Sequence, residues 1–314
     1  MGSHTLKLAQ TGRIVLMQQE KKQKVSVCVV TYNHVKYIRQ CLQSLVEQKT
    51  DFSFEVIVGD DYSTDGTRAI IQEFADRYPQ IIRTIYQQKN VGASKNNLDV
   101  HTAACGEYIA HLDGDDYALP GKLQLQLNIL DRNPQCNIAW HRMKIENTQT
   151  QKIYDDMIDV KRFRKQQLYR ADLLEYGTIA CHSSKMYRSS KNTCISFAGD
   201  KLDYYLDVIQ IGDGYAIVVD DFLGVYRYGI GIAANSGETK KLYLSYLKYF
   251  YIKFPQFKTE IGLNALWCFL VDLKNLHFTS ASLKLCIRCF SFMSLFRLMM
   301  SINVRMMLRT KVWN

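Results

Sequence analysis

The chain has 314 residues, 47% of them apolar and 22% charged, and a formal net charge of +10. This composition excludes a disordered or fibrous protein and leaves room for one large domain with an appendage. Nine scattered cysteines, odd in number and without a signal-peptide-like leader, fit reduced thiols in a cytosolic setting rather than a disulfide framework.

Residues 1–23 read as an N-terminal extension, in which Met1-Gly2-Ser3-His4 is either native or a leftover of cloning. Val25 to Val30 is a continuous apolar run, the pattern of a buried strand, and it delivers Thr31-Tyr32-Asn33-His34 to an edge. Ile38, Leu42, Leu45 and Val46 recur at helical spacing and predict a helix over about 34–48. A strand at Glu55 to Val58 opens into Gly59-Asp60-Asp61-Tyr62-Ser63-Thr64-Asp65-Gly66-Thr67. There Asp60, Ser63 and Asp65 are suited to shaping the loop and capping the helix that Ile70, Ile71 and Phe74 begin. Ile81 to Tyr86 predicts a third strand, Asn90-Val91-Gly92 a turn, and the residues through Ala104 a helix. Tyr108 to Leu112 reads as the fourth strand, Leu119-Pro120-Gly121 breaks the chain, and Lys122 to Asp131 predicts another helix.

Strands alternating with helices imply an α/β, Rossmann-like, mostly parallel sheet with helices on both faces. Right-handed crossovers then bring the polar clusters at 31–34, 60–65 and 113–116 to one edge, where open α/β sheets bind ligands. Asp113, Asp115 and Asp116 place three carboxylates within four positions at a strand end. A divalent cation is the simplest compensation for that charge, and all-oxygen ligands favour Mg²⁺ or Mn²⁺ over zinc. The plain alternative is a solvated Asp-Gly turn.

In order along the chain stand Val-Ser-Val-Cys-Val-Val-Thr-Tyr-Asn from Val25, Asp-Asp-Tyr-Ser-Thr-Asp-Gly-Thr from Asp60, Asn-Val-Gly from Asn90, Asp-Gly-Asp-Asp from Asp113, Ala-Gly-Asp from Ala198 and Val-Tyr-Arg from Val225. This ordered set resembles the family 2 glycosyltransferases of the GT-A fold, the inverting, nucleotide-sugar-dependent kind of bacterial surface polysaccharide assembly. The resemblance covers about 24–230 and implies a transferase domain at 24–235, with a nucleotide-binding half at 24–134 and an acceptor half at 135–235. It implies that Thr31, Tyr32 and Asn33 line the nucleotide, that Asp61 accepts a hydrogen bond from a uracil base and that Lys95 contacts the nucleotide. It also implies that Asp113 reaches the ribose or the metal and that Asp115 ligates a Mn²⁺ or Mg²⁺ bridging the donor's phosphates. The donor would be a nucleotide sugar, a UDP-sugar first, and the acceptor a saccharide on a lipid carrier or a polysaccharide.

Displacement at the anomeric carbon requires a carboxylate to take the acceptor's proton. Asp200 matches the family's base position and Asp203 is the runner-up, because Lys201 stands where relatives carry an aromatic residue. The His that many relatives carry after Tyr-Arg is missing, and Arg227 with glycines 229 and 231 suggests a lid over the diphosphate. His182-Ser183-Ser184 occupies the place of a short polar motif, where a lone His is more often structural than catalytic. A sugar nucleotidyltransferase would need a Gly-rich phosphate loop after the first strand, which Thr31-Tyr32-Asn33 is not. A catalytically inactive, nucleotide-binding membrane scaffold is the other alternative.

From Lys240 onward twelve Lys or Arg stand against two acids, so the excess charge lies in the segment 236–314. Its apolar stretches are interrupted by Lys284, Arg288, Arg297, Arg305 and Arg309, and none is long enough to span a bilayer. Short basic amphipathic helices on the inner face of the cell membrane are expected, with a break near Ser291 to Ser294, against the alternative of a helical subdomain packed on the catalytic domain. Nucleic acid is not an expected partner, because the cations sit among aliphatic residues. Cys286-Ile287-Arg288-Cys289 lacks a second pair and reads as chance spacing in a helix.

Overall fold

A computed structural model describes residues 23–156, 158, 167–191, 203–229, 236–274 and 280–307. The apolar runs form four parallel strands, β1 (Val25–Thr31), β2 (Phe54–Asp60), β3 (Ile82–Tyr86) and β4 (Tyr108–Asp113), in the order β3-β2-β1-β4. Their continuous hydrophobicity follows from burial on both faces. Val25, Val27, Val29, Val56 and Val58 join Ile38, Leu42 and Leu45 in one core, while Cys28 and Ile57 join Val100 and Ile109 in the other. Helices α1 (Ile38–Val46), α2 (Thr67–Arg77) and α3 (Ala93–Thr102) make the returns between strands. Glycine at 59 has a steric reason: a Cβ there would sit 2.2 Å from Val100 Cγ2, so α3 lies directly on β2.

Register fixes the edge that matters. Thr31 pairs with Asp60 and Val30 with Asp113, so all three polar clusters leave the sheet at one level. After β4 come β5 (Tyr117–Ala118), helix α4 (Lys122–Arg132), the long β6 (Cys136–Asn147) and β7 (Ile153–Asp155). Helix α5 (Arg170–Tyr176), β8 (Met186–Arg188), helix α6 (Asp203–Gln210) and the long β9 (Tyr215–Tyr228) complete the domain. The sheet continues β4-β8-β6-β9-β5, with antiparallel pairs at β4-β8, β8-β6 and β9-β5 and a bulged parallel pair at β6-β9. The half of the sheet formed by β3, β2, β1 and β4 is thus parallel, and the remainder is mixed.

The C-terminal segment is helical: α7 (Ser236–Lys253), α8 (Lys258–Lys274), α9 (Ser280–Cys289) and α10 (Phe292–Met307). Its first two helices belong to the main core. Tyr246, Leu247, Phe250 and Ile261 are fully buried, and Tyr205 stacks on Phe250 with ring centroids 5.5 Å apart. Ser291 Oγ accepts the Ser294 N–H at 3.0 Å and caps α10, so the chain breaks between α9 and α10. Cys286 and Cys289 are buried free thiols on α9. Among the described residues no helix is long and apolar enough to cross a membrane. Residues 1–22 lie outside the described residues.

Candidate active site

The loop after β2 is a folded scaffold whose polar side chains mostly hold one another. Asp60 is fully buried and takes the Arg68 Nε–H at 2.9 Å; Ser63 Oγ accepts the Asn33 N–H at 2.8 Å; Asp65 accepts the Val35 N–H and the Thr67 N–H, each at 3.0 Å. These are the loop-shaping roles read from the sequence. Asn33 joins them, its Oδ1 accepting the Thr64 N–H at 2.9 Å with the backbone in a left-handed conformation at φ 55°. Asp61 is buried and its two oxygens accept the Val91 and Gly92 N–H groups at 2.7 and 3.0 Å, which ties the loop after β2 to the turn before α3. Thr31 Oγ1 lies 3.1 Å from His34 Nδ1, while the Tyr32 ring stands exposed at the strand end. Lys95 turns along α3 to pair with Asp99.

The acidic loop after β4 holds three carboxylates in three environments. Asp113 Oδ1 lies 3.1 Å from His111 Nε2, and its Oδ2 lies 3.2 Å from Ser183 Oγ. Burial pushes the Asp113 carboxyl up, but His111, His34 and Ser183 together hold it below its ordinary value. Asp115 Oδ2 lies 3.8 Å from His34 Nε2, and burial with the like charge of Asp113 raises its carboxyl to about 6. Asp116 is fully buried, accepts the Arg227 N–H at 2.8 Å and sits 2.5 Å from Ser183 Oγ; burial and the two neighbouring carboxylates push it well up. Gly114 is dictated by space rather than by turn conformation. A Cβ there would lie 2.6 Å from Thr31 Cβ and 3.1 Å from the Val30 carbonyl oxygen, so the acidic loop rests on the end of β1.

Two carboxylates, Asp113 and Asp115, therefore remain to face a ligand, and Asp116 serves the scaffold. Among the described residues no group of three or more His, Cys, Asp or Glu is arranged to enclose a metal. The donor set still fits a hard divalent cation that draws most of its ligands from phosphate and water. The upward shift of Asp115 comes first from burial and then from the like charge of Asp113, against the pull of His34, and a bound cation would oppose both.

Behind Asp113 runs a buried relay that sequence reasoning missed. Tyr187 Oη lies 2.7 Å from His101 Nδ1, and His101 Nε2 lies 3.0 Å from His111 Nδ1. His182 stacks on His111 with centroids 3.8 Å apart, and its Nδ1 stands 3.6 Å from Asp203 Oδ1. Burial, then His111 and Lys185, holds both His101 and His182 well below the usual imidazole range, so both are neutral. Neither His182 nitrogen has a hydrogen-bond partner among the described residues. The His182-Ser183-Ser184 motif was the only visible signal, and Ser183 proves as important in it as His182. Asp203 begins α6 in the field of Asp113 and Asp207, and burial together with those charges raises it to about 7. Asp200 lies outside the described residues.

The lid expected from Arg227 is corrected. Arg227 is 4% exposed, donates to the Asp115 carbonyl at 2.6 Å, pairs with Glu146 at 3.2 Å and with Gln40, and lies over the rings of Tyr37 and Tyr117. A guanidinium saturated from several elements braces the loop and has no freedom to close over a ligand. Gly231 lies outside the described residues.

A sequence profile described as Glycosyl transferase family 2 matches residues 26–195. The Mycobacterium tuberculosis (strain ATCC 25618 / H37Rv) protein Rv1520, itself uncharacterised, is 35% identical over 224 residues, which are 69% of this chain and 63% of that protein. The chain thus matches less than two thirds of that relative's length. Bacillus subtilis (strain 168) TuaG, named as a glycosyltransferase of teichuronic acid biosynthesis, is 36% identical over 109 residues, 35% of this chain and 42% of its own. Among solved structures, S. aureus TarS 1-349 in complex with UDP-GlcNAc is similar with a TM-score of 0.53 and 23% identity, over 77% of this chain and 66% of that one. The mannosyltransferase PcManGT from Pyrobaculum calidifontis, in complex with GDP-Man and Mn²⁺, is similar with a TM-score of 0.52 and 16% identity, over 93% and 83%. At these identities the two structures speak for the fold.

Proposed function

Because the chain belongs to glycosyl transferase family 2, we propose that it moves a sugar from a nucleotide donor, a UDP-sugar first, to a lipid-linked or polysaccharide acceptor in cell-surface glycan synthesis. The observation that carries this reading is the single sheet edge at which Thr31, Asp61, Asp113 and Asp115 converge, with Asp115 buried beside the like charge of Asp113. The UDP-GlcNAc bound by TarS supports the donor class, and the teichuronic acid role in TuaG's name supports the surface-glycan setting. A lipid-linked acceptor places the reaction at the inner face of the cell membrane.

In this reading the exposed Tyr32 ring stacks on the base, while Asp61, which already holds the 91–92 turn, offers its remaining lone pairs to the base edge. Asp113 reaches the ribose or the metal, and Asp115 with Asp113 would hold Mn²⁺ or Mg²⁺; the Mn²⁺ in PcManGT supports that choice. Such an ion supplies Lewis-acid stabilisation to the departing diphosphate. The acceptor hydroxyl attacks the anomeric carbon from the face opposite the leaving group, its proton passes to a carboxylate, and the bond from carbon to the diphosphate oxygen breaks. No enzyme nucleophile is needed, and the anomeric centre inverts.

The sequence motif names Asp200 as the base. Asp203, the runner-up, neighbours His182 and is raised to about 7, near the pH at which a general base works best, which supports it as the alternative. Lys95 is free to leave Asp99 for a phosphate, since its side chain is half exposed.

Thermal-shift and calorimetric titration with UDP, GDP, CDP and dTDP, with and without Mn²⁺, tests the reading on wild type and Asp115→Ala. Metal-dependent stabilisation by one nucleotide, lost in the variant, is the expected result. No stabilisation by any nucleotide under any metal would overturn it.

A further inference from the structure

The C-terminal helix α10 is turned inside out relative to a helix on a soluble surface. Between residues 292 and 300 its inward face carries Ser294, Arg297 and Leu298, and its outward face carries only apolar side chains. Arg297 is consumed by the fold: it pairs with Glu175 of α5 at 2.5 Å and with Glu260 of α8 at 2.7 Å. Phe292, Met293, Leu295, Phe296, Met299 and Met300 meet solvent, with Phe292 85%, Met299 72% and Met300 75% exposed. At about 100° per residue these six side chains cover an unbroken arc of roughly 160° with no charge in it. Ile287 of α9 is 68% exposed and extends the apolar surface past the break. A patch of this kind on a folded chain marks a contact surface.

Charge decides what covers it. Both acids from Lys240 onward face inward, Glu260 onto Arg297 and Asp272 onto Lys240. The cations Lys284 and Arg288 instead lie exposed on the same face of α9 as Ile287. An apolar surface edged by cations, with no free acid among the described residues of α8, α9 and α10, complements an anionic lipid surface. It repels a second copy of itself, whose face would carry the same sign.

We infer that the outward face of α10 inserts into the headgroup boundary of an anionic bilayer, with Lys284 and Arg288 of α9 on the lipid phosphates. This deepens the membrane placement proposed above and rests on that reading for its biological purpose. In this arrangement α7 and α8, packed in the main core, link the inserted helix rigidly to the transferase domain.

The test is flotation of the full chain with phosphatidylcholine vesicles and with vesicles of phosphatidylcholine and phosphatidylglycerol, for wild type, Phe296→Glu/Met300→Glu and Lys284→Glu/Arg288→Glu. The altered side chains are exposed, so unfolding temperatures stay at the wild-type value. Wild type is expected to float with the anionic vesicles at least tenfold better than with the zwitterionic ones, and each double variant to lose at least tenfold on the anionic vesicles. Equal binding by wild type and Phe296→Glu/Met300→Glu, or no binding by wild type, overturns the inference. So does a dimer in sedimentation that the same variant dissolves, which would give the face to a second copy. Absence of vesicle binding by the wild type with its metal-dependent nucleotide stabilisation intact refutes this surface alone, and the converse refutes the sugar-transfer reading alone.

Discussion

Ser183 Oγ lies 2.5 Å from Asp116 Oδ2, and the same oxygen lies 3.2 Å from Asp113 Oδ2 and accepts the Asp113 N–H at 3.0 Å. A hydroxyl has one proton and two lone pairs. One assignment satisfies every atom: Asp116 is protonated and donates to Ser183, the Asp113 N–H donates to it as well, and Ser183 donates to the Asp113 carboxylate. The strong upward push on Asp116 and the downward hold on Asp113 agree with it. Asp116 thus spends its charge on nothing and acts as a buried donor.

Asp116→Asn should therefore be mild. The amide can donate to Ser183 and accept the Arg227 N–H, so stability changes by less than about 1 kcal/mol, whereas Asp116→Ala orphans both partners and costs about 2–3 kcal/mol. Urea unfolding of the two variants measures the contrast. Equal losses would mean that Asp116 is an anion in the folded protein.

Gly114→Ala tests the contact between the acidic loop and β1. The added methyl meets Thr31 Cβ at 2.6 Å and the Val30 carbonyl at 3.1 Å, and backbone cannot step aside as a flexible side-chain end can. The cost is expected at about 1–3 kcal/mol from overpacking. Because Thr31 sits where the base would bind, nucleotide stabilisation should fall by more than unfolding alone explains. A fall in melting temperature with unchanged nucleotide affinity would detach Thr31 from the site.

Arg227 separates a brace from a lid. Removing a buried cation that serves Glu146, Gln40 and the Asp115 carbonyl leaves those groups unpaired, so Arg227→Ala should destabilise by about 3–5 kcal/mol. Lysine cannot reproduce the planar fork and should recover less than half of the loss. A residue that merely closed over substrate would change the donor KM and leave the unfolding midpoint alone. Denaturation and steady-state kinetics on the same preparations decide between the two.

The parallel half of the sheet was legible because its signals are local. An apolar run such as Val25 to Val30 states burial on both faces, and its abrupt end in Thr31-Tyr32-Asn33 states where the strand meets the ligand edge. Asp113 and Asp115 stand out as candidates for the same reason, at the end of an apolar strand. What stayed hidden is held together across long sequence separations. Arg227 reaches Gln40 across 187 positions, and Ser183 joins Asp116 across 67. His111 looked like one polar residue in an apolar strand, and its meaning rests on His101, Tyr187 and His182, which three other elements bring to it. Buried Lys122 is of this kind too: it donates to the Ser183 carbonyl at 3.0 Å and lies 2.9 Å from His141, a role no helical pattern announces. In the tail, the sequence showed basic residues among apolar ones but not which face each would take. Arg297, one of the cations interrupting the apolar run, points inward onto Glu175 and Glu260.

Asp203 carries the pH prediction. Burial first, then Asp113 and Asp207, raises its folded value to about 7, against an ordinary carboxyl near 3.9 in an unfolded chain. The folded protein thus holds a proton that the unfolded chain has released, so the stability this group contributes is complete below about pH 4 and is lost as pH rises through about 7. Its side chain keeps 48% of its surface, so solvent screens the effect and the loss is well below the full shift. Asp203→Asn removes the dependence, and its melting temperature relative to wild type should climb between pH 5 and pH 8. Catalysis runs the other way, since the base works only when ionised. The kcat/KM of wild type should rise with pH along a limb of apparent pKa about 7 and then level off, and Asp203→Asn should abolish that limb and lower kcat by about 10²–10⁴-fold while nucleotide stabilisation persists. If Asp200→Asn produces this loss and Asp203→Asn keeps the limb, the base is Asp200, and the proximity of Asp203 to His182 serves only to seat α6 against the acidic loop.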